Sequence, residues 1–162
     1  FLLEFLSKKL KSNLLDDLLL TTNGTQLKKY SKELSHLGLK RINVSLDSLI
    51  KEKFNFITNG GNLDRVLDGI FSAKENNIGI KINTVLLKGF NEDEIIDLMK
   101  WCGKHEFMLS FIEVMPIGEI SSSRKNQYFP VSSAKNIISK KFHLEKSALK
   151  IFGNSSSLIP LK

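Results

Sequence analysis

At 162 residues the chain can bury one ordinary hydrophobic core, and 41% hydrophobic with 25% charged residues is the balance of a folded soluble domain, not of a disordered tail. No apolar run approaches the roughly 18–20 residues that span a bilayer. The opening Phe-Leu-Leu-Glu-Phe-Leu is broken by Glu4, Lys8, Lys9 and Lys11 and lacks a signal-peptide cleavage site, so neither membrane nor export is expected and the cytoplasm is the expected location. A net charge of +7 favours anionic ligands, but the lysines are scattered over helix faces without the dense run and interleaved aromatics of a nucleic-acid surface.

Residues 1–12 place Leu2, Phe5, Leu6 and Leu10 on one face with lysines opposite, which is helical spacing. The pattern is already under way at Phe1, as in a piece of a longer sequence. Residues 18–20 form a buried strand that runs into the turn residues Thr21-Thr22-Asn23-Gly24. Leu27, Tyr30, Leu34 and Leu37 make a helical stripe, with Gly38 where a C-terminal cap belongs. Residues 41–47 read as the second strand, followed by a short helical piece at 50–57 and a Gly60-Gly61 turn. Asn62 caps a helix whose stripe is Leu63, Val66, Leu67, Ile70 and Ala73.

Residues 79–87 form the third strand, closed by Lys88-Gly89. Asn91 with Glu94 three residues on predicts a capping box for a helix running to about Lys104. Residues 109–115 are the fourth strand and Pro116-Ile117-Gly118 ends it. A polar loop over 119–130 and a helix over 132–142 follow, and the tail from Phe152 has no firm pattern.

A helix in every gap between strands predicts right-handed crossovers and therefore a parallel α/β sheet. Four such units form either a small open sheet or an arc of a barrel. Four strands do not close a barrel, so a barrel here is a partial one. The predicted division is 1–118 as this core and 119–162 as loop, helix and the start of a C-terminal region.

In the second strand Ile42, Val44 and Leu46 alternate with Asn43, Ser45 and Asp47. Helices cover parallel strands, so the apolar set packs outward and the polar set points inward. In the third strand Ile80, Ile82, Thr84 and Leu86 oppose Lys81 and Asn83; in the fourth, Glu113 lies between Phe111 and Met115 on one face. A packed barrel interior carries Val, Ile and Leu in layers, so this polar lining implies a ligand. Lys81 is the most informative residue, because a charge inside a strand must be neutralised, paired or wet. It meets an anion, faces water on an edge strand, or pairs with Asp47 or Glu113.

Other chemistry is sparse. Asn59-Gly60-Gly61-Asn62 lacks the spacing of a phosphate loop. His36, His105 and His143 have no partner at metal-ligand spacing, and one cysteine, Cys102, cannot build an iron–sulfur site alone. No residue of the chain is assigned to a metal, and no catalytic triad or nucleophile elbow is present.

Four segments in order, Leu-Thr-Thr-Asn-Gly (20–24), Arg-Ile-Asn-Val-Ser-Leu-Asp-Ser-Leu (41–49), Lys-Ile-Asn-Thr-Val-Leu-Leu-Lys-Gly (81–89) and Phe-Ile-Glu-Val-Met-Pro-Ile-Gly-Glu (111–119), resemble the GTP 3′,8-cyclases of the radical S-adenosylmethionine (SAM) superfamily. The resemblance implies a partial (β/α) barrel of radical SAM type, without the family's first two strands and C-terminal domain. It further implies SAM and [4Fe–4S] clusters as cofactors, conversion of GTP to 3′,8-cyclo-7,8-dihydro-GTP in molybdenum cofactor (molybdopterin) biosynthesis, and a cyclic pyranopterin monophosphate synthase as downstream partner. A homodimer is the implied full-length state. Matched residue by residue, Thr21 and Lys81 fall at GTP contacts and Ser45 and Met115 at SAM contacts, with Asn23, Asn43, Asp47, Asn83 and Glu113 as supporting candidates.

The cluster-binding Cys-x-x-x-Cys-x-x-Cys motif, the Gly-Gly-Glu-Pro segment and the C-terminal cysteines of the family do not occur in this sequence, and Ser110 stands where the family usually has an arginine. Two alternatives remain open: another radical SAM enzyme of peptide-modifying type, or a degenerate nucleotide-binding module without catalysis. With a single thiol the chain alone is expected to be inert. Anaerobic reconstitution with iron and sulfide is expected to give no four-iron absorbance, and a stable band of that kind would refute this.

Overall fold

The computed structural model describes residues 2–114, 127–146 and 158–161. Helix α1 (Leu2–Lys11) leads into β1 (Leu19–Thr22) and α2 (Leu27–His36). Next come β2 (Arg41–Ser45), α3 (Lys51–Ile57) and α4 (Leu63–Glu75), then β3 (Gly79–Leu86), a 3-10 turn (Glu92–Glu94) and α5 (Ile95–Lys104), and then β4 (Met108–Glu113). Helix α6 (Val131–Ser139) and an antiparallel pair, β5 (His143–Lys146) with β6 (Leu158–Leu161), follow. The expected helix at 132–142 therefore ends earlier, and part of the patternless tail is a strand.

The four large-sheet strands are all parallel, and their spatial order is their chain order, β1-β2-β3-β4. A doubly wound sheet reverses its strand order at some point. This one does not, and among the described residues helices cover only one of its faces, so the sheet winds in one sense as an arc of a (β/α) barrel. On the covered face Ile42, Val44, Ile80, Ile82, Thr84 and Leu86 are buried beneath the helices, the large aliphatic ones each contributing about 1.5–3 kcal/mol. Val66, Ile70 and Ala73 of α4 complete the main core, and Leu86, Ile95, Ile96, Ala134 and Ile138 form a second one between β3, α5 and α6.

Local signals explain most boundaries. Gly38, at φ +91°, closes α2 by donating its N–H to Ser35, while the Leu39 N–H reaches Leu34; this paired arrangement needs a left-handed residue at Gly38. The Asn62 side chain accepts the Arg65 N–H at 2.9 Å and caps α4 as its spacing predicted.

Three expectations need correction. Thr21 and Thr22 are strand, not turn, because they pair with Asn43 and Val44, which shortens the turn to Asn23-Gly24. Strand β2 ends at Ser45 instead of Asp47: the Asp47 carboxylate itself takes the Val85 N–H at 2.7 Å and replaces the next ladder bond. The Asn91–Glu94 capping box does not form. Asn91 is fully buried, accepting the Leu87 N–H and donating to the Asp47 and Val85 carbonyls. Glu94 accepts from the Ser48 hydroxyl and the Leu49 N–H and lies 3.4 Å from the Lys53 ammonium. Both side chains are spent on tertiary bonds between the segments that follow β2 and β3, and a 3-10 turn opens the helix instead. The predicted domain boundary at 118 lies outside the described residues, as do Pro116-Ile117-Gly118 and most of the polar loop.

The Asn23-Gly24 turn is held by contact as well as by conformation. Gly24 has φ +79°, and a Cβ there would lie 2.8 Å from Val66 Cγ1 of α4. Gly69 of α4 is the counterpart, since its own Cβ would lie 2.7 Å from the Gly24 carbonyl oxygen. Gly24→Ala is therefore expected to lower stability by about 2 kcal/mol or more, combining left-handed strain with overpacking. A urea midpoint matching that of the unsubstituted chain would contradict this packing.

Candidate functional site

The uncovered face of the sheet carries side chains of one parity from every strand, and the parallel register sorts them into rows. Leu19, Arg41 and Gly79 form the lowest row, Thr21, Asn43, Lys81 and Met108 the next, and Ser45, Asn83 and Ser110 the third. Val85 and Ile112 lie above them, at the C-terminal side of β3 and β4. Neighbouring strands are roughly 4.8 Å apart and successive rows roughly 6.6 Å apart, so these groups share one surface.

Little on this surface satisfies anything else on it. Asn43 donates its amide to the Thr21 hydroxyl at 3.3 Å. The remaining side-chain oxygens of Asn43 and Asn83, and Nε of Arg41, are buried and have no hydrogen-bond partner among the described residues. Buried polar atoms are normally paired, and three unpaired ones on one face mark a place where another molecule supplies the partner. Lys81 is half-buried and has no ion pair among the described residues. Of the three environments open to it, pairing with Asp47 or Glu113 is not the one observed. Ser45 is exposed at the end of β2, level with half-buried Ser110 of β4.

The sequence candidates divide accordingly. Thr21, Asn43, Ser45, Lys81 and Asn83 come together on the open face. Asn23 serves the turn, its side-chain oxygen accepting from the Thr25 N–H and hydroxyl. Glu113 is corrected: it pairs in register with buried Leu86 and so lies on the helix-covered face. Its two oxygens accept from the Tyr128 hydroxyl at 2.9 Å and the Val131 N–H at 2.8 Å, which anchors the start of α6. Met115 lies outside the described residues. Arg41 escaped the sequence reading although its parity with Asn43 and Ser45 was the available signal.

Asp47 stands at the upper end of the face, one carboxylate oxygen held by the Val85 N–H. Burial pushes its carboxyl above the ordinary value of 3.8, against the opposing pull of that hydrogen bond. Cys102 is buried within the main core, where desolvation pushes its thiol up to about 12. Among the described residues no group of three His, Cys, Asp or Glu side chains is placed to hold a metal ion, and no helix is long and apolar enough to cross a membrane.

Comparison with known proteins matches residues 2–102 to the radical SAM superfamily. A GTP 3′,8-cyclase of Bradyrhizobium diazoefficiens is 48% identical over 143 residues, covering 88% of this chain and 42% of that protein. One from Rhodopseudomonas palustris (strain TIE-1) is 50% identical over 131 residues, covering 81% and 38%. One from Brucella ovis is 48% identical over 139 residues, covering 86% and 40%. The chain thus spans well under half the length of these relatives. Among solved structures, native anSMEcpe with bound AdoMet superimposes with a TM-score of 0.54 at 21% identity, covering 67% of this chain and 31% of that one, which supports the fold.

A carboxyl whose folded pKa is raised stabilises the fold fully only below its unfolded value, and that contribution is lost as pH climbs through the folded pKa. Asp47→Asn keeps an acceptor for the Val85 N–H but cannot ionise. Its stability relative to the unsubstituted chain is expected to grow as pH rises from about 4 towards neutrality. Urea midpoints measured across that range test this, and a gap that does not change with pH would count against it.

Proposed function

Because this chain belongs to the radical SAM superfamily, we propose that it is the central part of the barrel of a GTP 3′,8-cyclase, the name its relatives carry. On this proposal the whole protein converts GTP to 3′,8-cyclo-7,8-dihydro-GTP for the molybdenum cofactor, in the cytoplasm and as a homodimer, and a cyclic pyranopterin monophosphate synthase takes the product onward. Residues from 119 on begin its C-terminal region. Lys81 carries the assignment: a half-buried cation without a counter-charge among the described residues, level with Thr21 and Asn43, suits a phosphorylated ligand. Thr21 and Lys81 contact GTP, Ser45 and Met115 contact SAM, and Asn43 and Asn83 support the pair.

Of the two groups radical SAM enzymes use, the residues present fit one. SAM is a polar ligand with hydroxyl and ammonium donors, and the unpaired buried oxygens of Asn43 and Asn83 beside the exposed Ser45 hydroxyl match such donors. When bound, SAM supplies the superfamily's hydrogen-abstracting group. The cluster does not fit this chain's own residues: its one thiol, Cys102, is packed into the core on α5 and held protonated. The chain's own contribution is therefore binding and orientation. Lys81 fixes the anionic end of the nucleotide, the Thr21–Asn43 pair holds the row beside it, and Ser45 and Asn83 hold the neighbouring ligand within reach.

Calorimetric titration of the chain with GTP and, separately, SAM tests this. Lys81→Gln is expected to weaken GTP about ten-fold and leave SAM unchanged, the loss of roughly one charge-assisted hydrogen bond; Ser45→Ala is expected to show the opposite pattern. Unaltered GTP binding by Lys81→Gln would sink the assignment. Tight binding of a single-stranded oligonucleotide that falls steeply with salt would favour a nucleic-acid module instead.

A further inference from the structure

We infer that Arg41 is a second cationic contact on the open face and that, with Lys81, it forms a subsite for an oligophosphate chain in preference to a single phosphate or carboxylate. This rests on the proposal that the face binds a nucleotide, and it adds a residue to it. Arg41 opens β2 and pairs in register with Gly79, two residues before Lys81 on the adjacent strand. The two cations are thus one strand and one row apart, roughly 4.8 Å across and 6.6 Å along. Their side chains are long enough to engage successive phosphates of one chain, whereas a single phosphate meets both only where the two side chains converge on it.

Three observations support the pairing. Nε of Arg41 is buried without a partner, although a guanidinium nitrogen in that position ordinarily has one. Neither Arg41 nor Lys81 has an ion-pair partner among the described residues. Asp47 is the carboxylate of the same parity on β2 and its extension, but it lies six residues further along, roughly 20 Å, with one oxygen already on the Val85 N–H. Gly79 completes the picture. It carries no side chain beside Arg41, and an added Cβ there would come within 3.8 Å of Arg41 Cγ, so the aliphatic stem runs over an open floor. A guanidinium presents a planar fork that grips phosphate oxygens two at a time, whereas lysine acts as a point charge.

The test uses inorganic tripolyphosphate and orthophosphate as probes, with GTP alongside, titrated into the 162-residue chain. Tripolyphosphate is expected to bind more tightly than orthophosphate. Arg41→Gln is expected to weaken tripolyphosphate and GTP about ten-fold, with orthophosphate little changed and Arg41→Lys, which keeps the charge but not the fork, falling between the two. If Arg41→Gln binds tripolyphosphate like the unsubstituted chain while Lys81→Gln does not, Arg41 is no contact, and the nucleotide proposal survives without it. If the unsubstituted chain binds neither GTP nor tripolyphosphate, both fall together. Should Arg41→Gln fail to fold, phenylglyoxal labelling of the unsubstituted chain, followed by mass spectrometry, decides instead. Tripolyphosphate is expected to slow modification of Arg41, and an unchanged rate overturns the inference.

Discussion

Among the described residues helices cover one face of this parallel sheet and not the other, and that asymmetry governs the rest of the molecule. In a doubly covered sheet both parities of every strand would be apolar. Here only one parity is: Ile42, Val44, Ile80 and Ile82 are in the core, and the residues between them are Arg41, Asn43, Ser45, Lys81 and Asn83. Monotonic strand order produces the asymmetry, because each right-handed crossover returns its helix to the same side. The hydrophobic effect fixes the covered side, and strand geometry then aims the remaining side chains at one shared surface. Fold and candidate site are two consequences of one alternation.

Keeping that surface in register requires bonds beyond the ladder. Past Ser45 the β2–β3 pairing gives way to side chains: the Asp47 carboxylate takes the Val85 N–H, Asn91 ties Asp47 to Val85 and Leu87, and Glu94 holds Ser48 and Leu49. Asn91 and Glu94 are buried, so removing a partner of either strands a polar group, which costs more than the bond itself contributes. The Gly24–Gly69 approach does the same for β1 by letting its turn sit against α4. Both devices lie next to the C-terminal ends of the strands, above the rows that carry Arg41 and Lys81.

The alternation was legible because it is periodic and local: period two in residues 41–46 and 79–86 gave faces, and Gly38 and Asn62 gave helix ends. Legibility failed wherever a local pattern competed with a distant partner. Asn91 and Glu94 have capping-box spacing, but their side chains are more useful to the loop after β2, and sequence spacing carries no information about that loop. Glu113 was assigned with its strand, yet its face depends on the register of β4 against β3, which puts it beside Leu86. Arg41 shows the converse. Its parity is readable from the strand at 41–47, but parity does not show whether a residue is already paired, and its unpaired buried Nε is what distinguishes it.

Charge is the last link between fold and ligand, and its location matters more than its total. The net charge is +7, but several of the lysines are already matched, Lys28 with Asp68, Lys51 with Asp64 and Lys53 with Asp93. Exposed pairs and isolated surface charges are screened within roughly 8–10 Å at ordinary ionic strength, so they guide an anion towards the protein without choosing where it sits. Lys81 and Arg41 differ in being partly withdrawn from water, unmatched among the described residues, and on the face with unpaired amide oxygens. Interactions there are screened less and discriminate more. With Ser110 contributing a hydroxyl instead of a charge to the row above, the cationic character of the face is concentrated low on β2 and β3. An anionic group held there leaves the amide and hydroxyl rows above it free for the uncharged remainder of the ligand.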